Sequence, residues 1–386
     1  WEEALDILAE VMPRVSGDLR VEYDALHLLF RVRHNTPNIA TTVAILHQAT
    51  KILASDTTLD ARVNAATVGM LACAEMRDRA ASANLRSVLE PMLALPLRDS
   101  ARSNLLLSVA SLCAYTGDND RALALVLEAG SRASAHGLRN ALRARIENGI
   151  GAALCATGRY VEAIAHLAEA IGVWEALGND VLLRTTLNNL ALCHSRLGQY
   201  QAQLEVATTA SKLPPADRTT VELLFTHHHA AVACCFLGLR DEASRHLDLA
   251  LASFGKSEVG WLRQRALMMA ADVSWLLGQR RRAAGFASSF LGEAPRRPLA
   301  PQITGGFCRW AGVLAIQGHR IEGAQEAVET AVEERTGLDL VDRLEVLAAA
   351  SVFRPLSRPE ESDLRSCTEA LPQTVIEQTR GLGLPL

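Results

Sequence analysis

The chain has 386 residues, of which 49% are hydrophobic, 21% charged and only 4% aromatic, so its apolar content is mostly Ala and Leu. That mixture favours helix over strand, and 39 basic against 43 acidic residues, a net charge of −4, excludes a strongly basic nucleic-acid footprint. No run approaches the roughly eighteen apolar residues of a membrane span, and eight cysteines without a CxxC pair exclude a disulfide framework and imply a reducing cytoplasm.

The chain opens on Trp1-Glu2-Glu3, with neither Met nor a secretory segment, and residues 1–12 read as the remnant second helix of a truncated unit. From there a repeat organises everything. Turn centres fall at Asn35-Thr36-Pro37, Met76-Arg77-Asp78, Gly117-Asp118, Gly158-Arg159-Tyr160, Gly198-Gln199-Tyr200, Gly238-Leu239-Arg240, Gly278-Gln279-Arg280, Gly318-His319-Arg320 and Arg358-Pro359. The first steps are 41 residues and the later ones 40. A fixed period of this size marks a stacked array of small units.

Each unit is predicted to be a helical hairpin. An apolar run with small residues, such as Leu187-Asn188-Asn189-Leu190-Ala191-Leu192-Cys193, precedes the turn. An amphipathic segment follows it, with Ala163, Leu167, Ala170 and Ile171 on one face. The turn glycine supplies the left-handed residue that ends the first helix. Small residues at the crossing (Gly69, Ala110, Gly151, Ala191, Ala231, Ala271 and Gly312) let the helix axes approach. Links rich in Gly, Pro and Asn, among them Leu177-Gly178-Asn179-Asp180 and Leu213-Pro214-Pro215, separate the hairpins.

These residues resemble the tetratricopeptide repeat family. Gly151, Leu154, Gly158, Tyr160, Ala163, Leu167 and Ala170 fit its signature best; Ala191, Gly198, Tyr200 and Ala210 follow, with Gln203 in place of the usual Ala, then Ala231, Gly238, Ala243, Leu247 and Ala250. Arg240, Arg280 and Arg320 replace the turn aromatic, and Gly323 and Thr330 weaken the unit at 318. The resemblance implies an all-α, right-handed superhelical solenoid of about nine hairpins. Residues 13–340 would form the repeats and 341–386 a degenerate last repeat and cap, all in one domain. The 40-residue period resembles the sensor arms of large bacterial regulators: the STAND-type ATPases, the maltose-regulon activators and the antibiotic regulatory proteins of streptomycetes. Peptide-sensing quorum receptors have similarly long units.

Several local patterns suggest chemistry and are weak. His227-His228-His229 places three imidazoles about 100° apart on a helix, which cannot converge on one ion. Gly255-Lys256-Ser257 resembles the end of a P-loop, but Ala250 stands where its first glycine is needed and helix precedes it. The cysteines sit almost entirely in first helices, as small packing residues. Arg280-Arg281-Arg282 with Arg296-Arg297 is the strongest basic cluster, read mainly as a solvated turn edge. No catalytic residue, metal or cofactor is predicted.

Function is therefore expected on the face that the first helices line. By the resemblance, its ligand or partner residues are Arg145, Asn148, Asn188, Asn189, Arg196, Phe225, His228, His229, Arg265, Asp272 and Trp275. Asn189 stands where related proteins place an Asn that bonds a peptide backbone; Asn148 is one residue out of that register. The expected role is a non-catalytic sensor or interaction arm of a larger cytoplasmic bacterial regulator, which binds a protein, a peptide or a small effector and contacts other domains of its parent. Neither nucleic acid nor membrane is an expected partner. The alternatives are a passive scaffold, or the repeat appendage of an enzyme whose catalytic domain lies elsewhere.

Overall fold

A computed structural model describes residues 39–55, 58–76, 79–135, 141–214, 220–254, 260–293, 301–319 and 321–386. The expected helix at 1–12, the first turn at 35–37, and Gly255-Lys256-Ser257 and Arg296-Arg297 lie outside the described residues. Within them the regular structure is helical throughout: eighteen α-helices, two short 3₁₀ segments and no strand.

The chain forms two compact units, residues 1–149 and 150–386. The first holds α1 (Ile39–Ala54), α2 (Leu59–Met76), α3 (Arg79–Leu89), α4 (Asp99–Thr116) and α5 (Asn119–Ala135). The boundary falls inside α6 (Ala141–Ala156). The second continues with α7 (Tyr160–Leu177), α8 (Asp180–Arg196), α9 (Tyr200–Lys212), α10 (Thr220–Phe236), α11 (Arg240–Phe254), α12 (Gly260–Leu276) and α13 (Arg280–Glu293). It ends with α14 (Pro301–Ile316), α15 (Ala324–Glu334), α16 (Leu340–Phe353), α17 (Arg358–Ala370) and α18 (Gln373–Gly381).

The turn glycines do what their spacing predicts. Gly117, Gly158, Gly198, Gly238, Gly278 and Gly318 all have positive φ, between 68° and 88°. At each, the glycine N–H and the next N–H bond back to the closing turn of the first helix; Gly158 N to Cys155 O (3.1 Å) and Arg159 N to Leu154 O (2.8 Å) are typical. This is the Schellman arrangement, which satisfies carbonyls that the helix end would otherwise orphan. An L-residue would be strained at these six places. The ninth turn is built differently. It has no glycine, and Ser357 with Glu360 forms a capping box that starts α17. In the unit at 318, Gly323 sits at φ 73° as the N-cap, and the second helix is delayed to Ala324.

The hairpin crossings are tight because they are made of small residues. A Cβ on Gly151 would lie 2.6 Å from Leu167 Cγ, and one on Gly69 would lie 2.9 Å from Leu85 Cδ2. Ala163, Ala191, Ala231, Ala243 and Ala271 are fully buried. Gln203, the exception to the small-residue pattern, is also fully buried; its Nε2 donates to His229 O across the α9–α10 packing (2.9 Å). Arg184 is buried too. Its guanidinium donates to Ala210 O (3.1 Å), Leu213 O (2.7 Å) and Pro214 O (2.9 Å), closing the end of α9. No helix among the described residues is long and apolar enough to cross a membrane.

Because Ala163 and Ala243 are fully buried at their crossings, Ala163→Leu or Ala243→Leu should overpack its crossing and cost roughly 1–3 kcal/mol. Urea unfolding would show this as a lower midpoint at unchanged slope.

Candidate functional site

The first helices α8, α10, α12, α14 and α16 of the second unit lie in succession, each against the next. Residues at matching positions in successive repeats therefore line up on one face. Asn188 is buried there and braces two helices: its Nδ2 donates to Glu222 O (3.0 Å), and its Oδ1 accepts from Thr226 Oγ1 (2.8 Å). Asn189 beside it is half-buried. Further along, the Arg265 guanidinium lies 5.6 Å from the Phe225 ring centroid, a spacing suited to cation–π attraction.

The centre of this face is charged. Arg309 in α14 is bidentate on Asp272 in α12 (2.6 and 2.8 Å) and also donates to Glu345 in α16. The Trp310 indole donates to the same Asp272 oxygen at 2.8 Å. The side chains of Arg309 and Glu345 are only 6% and 5% exposed. Burial opposes the charge on Arg309, but Asp272 and Glu345 outweigh it, and its pKa is raised. Glu345 is raised by burial, which Arg309 offsets only in part. Asp342 rises further, through burial and the neighbouring Asp339 and Glu345 charges. Gly305 makes room for this acidic edge: a Cβ there would lie 2.7 Å from Asp342 Cα.

Arg196 faces the same acids from the end of α8. Burial works against its charge, yet Tyr160, Asp339, Glu345 and Asp342 raise its pKa through longer-range attraction. Its guanidinium has no hydrogen-bond or ion-pair partner among the described residues. Tyr160 in turn is pushed up to about 12 by burial, against the pull of Arg196.

The histidines are packed and neutral. Both ring nitrogens of His228 are sealed from solvent and have no hydrogen-bond partner among the described residues. Burial, His229 and the cations Arg265, Arg309 and Arg196 hold its pKa well below the ordinary value. Burial brings His229 to about 3, helped by Arg265 and Arg196. His227 turns the other way, with Nδ1 3.3 Å from His246 Nδ1; burial, then His246 and Arg245, lower it to about 4. Among the described residues, no three His, Cys, Asp or Glu side chains are grouped as a metal site would need.

The C-terminal segment returns across the turn ends of these helices. In α18, Thr374 Oγ1 donates to Arg196 O (3.0 Å), and Gln378 Nε2 donates to Ser195 O (2.7 Å) and Tyr200 Oη (3.0 Å). Trp275 is engaged in the same place: its indole donates to Gly381 O (2.9 Å), packs edge-on to Trp310 at 5.7 Å, and lies under Arg280 at 3.7 Å. The stretch expected to cap the array therefore also reaches back over the candidate face.

The second unit thus gathers Asn188, Asn189, Arg196, Phe225, His228, His229, Arg265, Asp272 and Trp275. Arg145 and Asn148 belong to the first unit, where Arg145 Nη1 donates to Asn104 Oδ1 at 2.9 Å. Within the basic cluster, Arg280 also donates to Trp275 O (3.0 Å), and Arg282 pairs with Asp248 (3.2 Å) and lies 5.6 Å from the Phe286 ring. The acids Asp339, Asp342 and Glu345, and the tail residues Thr374 and Gln378, were not expected at the site. Glu345 stands two 40-residue steps beyond Arg265, with Gly305 between them, so one more step of the same counting would have reached it.

Residues 142–212 match the tetratricopeptide repeat family model. No curated protein sequence matches the chain. Among solved structures, a Rap protein complexed with competence and sporulation factor is similar at 9% identity, covering 95% of this chain and 100% of that one with a TM-score of 0.60. NprR in complex with its cognate peptide NprX is similar at 12% identity, with coverages of 92% and 99% and a TM-score of 0.58. The apo form of the quorum sensor NprR from B. thuringiensis gives 11% identity, the same coverages and 0.55. The fold is an all-helical repeat of the tetratricopeptide type.

Removing one member of the buried charge cluster strands the others. Arg309→Met should cost roughly 3–5 kcal/mol by leaving Asp272 and Glu345 unpaired, measurable as a drop in the urea midpoint.

The histidines set a pH dependence. In the unfolded chain each titrates near pH 6.5, whereas folded His229 does so near 3. The stability gained from keeping it neutral is complete above about pH 6.5 and is lost as pH falls. Between pH 6.5 and 5 the loss is roughly 2 kcal/mol for His229. The raised carboxylates Glu345 and Asp342 act in the opposite direction. His229→Gln isolates the imidazole: its stability should fall less than that of the unsubstituted chain between pH 7.5 and 5, in paired urea titrations.

Proposed function

We propose that this chain is a non-catalytic binding arm of a larger cytoplasmic bacterial regulator, and that the first-helix face of its second unit takes a peptide or a peptide-like segment of a partner protein. The observation that carries this reading is Arg196. A partly buried cation with no close partner among the described residues, at the end of a face that also carries Asn189 and Arg265, suits a ligand bringing a carboxylate and an extended backbone. Two similar folds support it, since their structures are described as complexes with a peptide or with competence and sporulation factor. The neutral histidines favour binding over catalysis, because none of the three titrates near neutral pH, where a general base should. Ligand binding would then bias the parent between two states.

A phage-displayed random heptapeptide library panned on the whole chain tests the reading. Enriched peptides, made synthetically, should carry an acidic side chain or a free C-terminal carboxylate and raise the melting temperature by several degrees at 100-fold excess over Kd. Affinity should fall about tenfold or more in Arg196→Ala and also weaken in Asn189→Ala, while Arg281→Ala binds as the unsubstituted chain does. Failure to enrich any peptide, or affinity indifferent to Arg196→Ala, would sink this assignment.

A further inference from the structure

All eight cysteines are free thiols, and two of them are already in contact. Cys155, in the last turn of α6, and Cys193, in the last turn of α8, have their sulfurs 2.7 Å apart. A disulfide bond is about 2.05 Å long, so closing this gap requires the two sulfurs together to move only about 0.6 Å. Their exposures differ in a useful way: Cys155 is half-buried and Cys193 buried. The neighbouring Cys155 sulfur and burial push the Cys193 thiol up, so it keeps its proton.

We propose that Cys155 and Cys193 form a reversible disulfide site, closed by a hydroperoxide and opened by a dithiol. The accessible Cys155 sulfur attacks the peroxide; its S–O bond forms as the O–O bond breaks, giving Cys155 sulfenic acid and, from hydrogen peroxide, one water. The Cys193 sulfur then attacks the sulfenic sulfur. The S–S bond forms, the S–O bond breaks, and the departing oxygen takes the Cys193 proton and leaves as a second water. Two thiols are oxidised by two electrons and one peroxide is reduced. The product staples the ends of two first helices beside Arg196, three residues beyond Cys193. A thiol pair of this kind in a reducing compartment is a sensor more often than a structural bond. The assignment does not depend on what the face binds.

The test uses the full, reduced chain treated with hydrogen peroxide, blocked with iodoacetamide and digested with trypsin. Titratable thiols under denaturant should fall from eight to six. The tryptic peptides 146–159 and 185–196 should appear joined, 2 Da below their summed mass, and dithiothreitol should separate them. Cys193→Ser should give no joined peptide, with Cys155 recovered instead as its sulfenic or sulfinic acid; Cys193→Ala serves if the serine variant does not fold. Oxidation of the folded chain that leaves Cys193 alkylatable on unfolding, that joins Cys155 to another cysteine, or that leaves all eight thiols intact would overturn the proposal.

Discussion

A helical hairpin of this length exposes an apolar face that it cannot cover alone, and two constraints make it stackable. The chain must reverse at a fixed point, and the two helix axes must come close enough for the next hairpin to lie flat on them. Positive-φ glycines meet the first constraint, with the same pair of backbone hydrogen bonds at each turn. Buried alanines, and Gly151 pressed on Leu167, meet the second. Both depend on what is missing from the side chain, which is why volume added at a crossing matters more than polarity changed on the surface.

On this frame, matching positions of successive first helices become neighbours, so residues about forty apart act as one surface. Asp272, Arg309 and Glu345 come from three helices and meet in a buried, hydrogen-bonded cluster. Such clusters are seldom a large net source of stability, because each ion must be stripped of water. They do fix which groups can lie opposite one another. Here its cation, Arg309, joins burial, Arg265 and Arg196 in keeping His228 neutral.

Much of this was legible in the residues and some was not. The six turn glycines, the small crossings and the alternation of first and second helices follow from period and residue size, which are local properties. The role of Asn188 was not: an amide in the groove register became an internal brace because Glu222 and Thr226 of the next helix lie within its reach. Asp342 and Glu345 escaped because their unit lacks the glycine from which groove positions are counted. The short α18 escaped because it is held partly by side chains bonded to Ser195 and Arg196 carbonyls, contacts 178 and 183 residues apart with no periodic signature. Cys155 and Cys193 looked like interchangeable small residues, and their sequence positions alone do not bring the sulfurs together.

The surroundings of Trp275 have an optical consequence. The indole is capped by the Arg280 guanidinium on its face, by Trp310 at its edge and by the backbone at Gly381 through its N–H. Gly383 lies so near that a methyl group there would stand 2.8 Å from the ring. Lifting the tail would expose one side of the ring to water and free its donor, leaving the cation and the second indole in place. The emission wavelength of this tryptophan is thus a native gauge of whether the last segment is docked, with no dye attached.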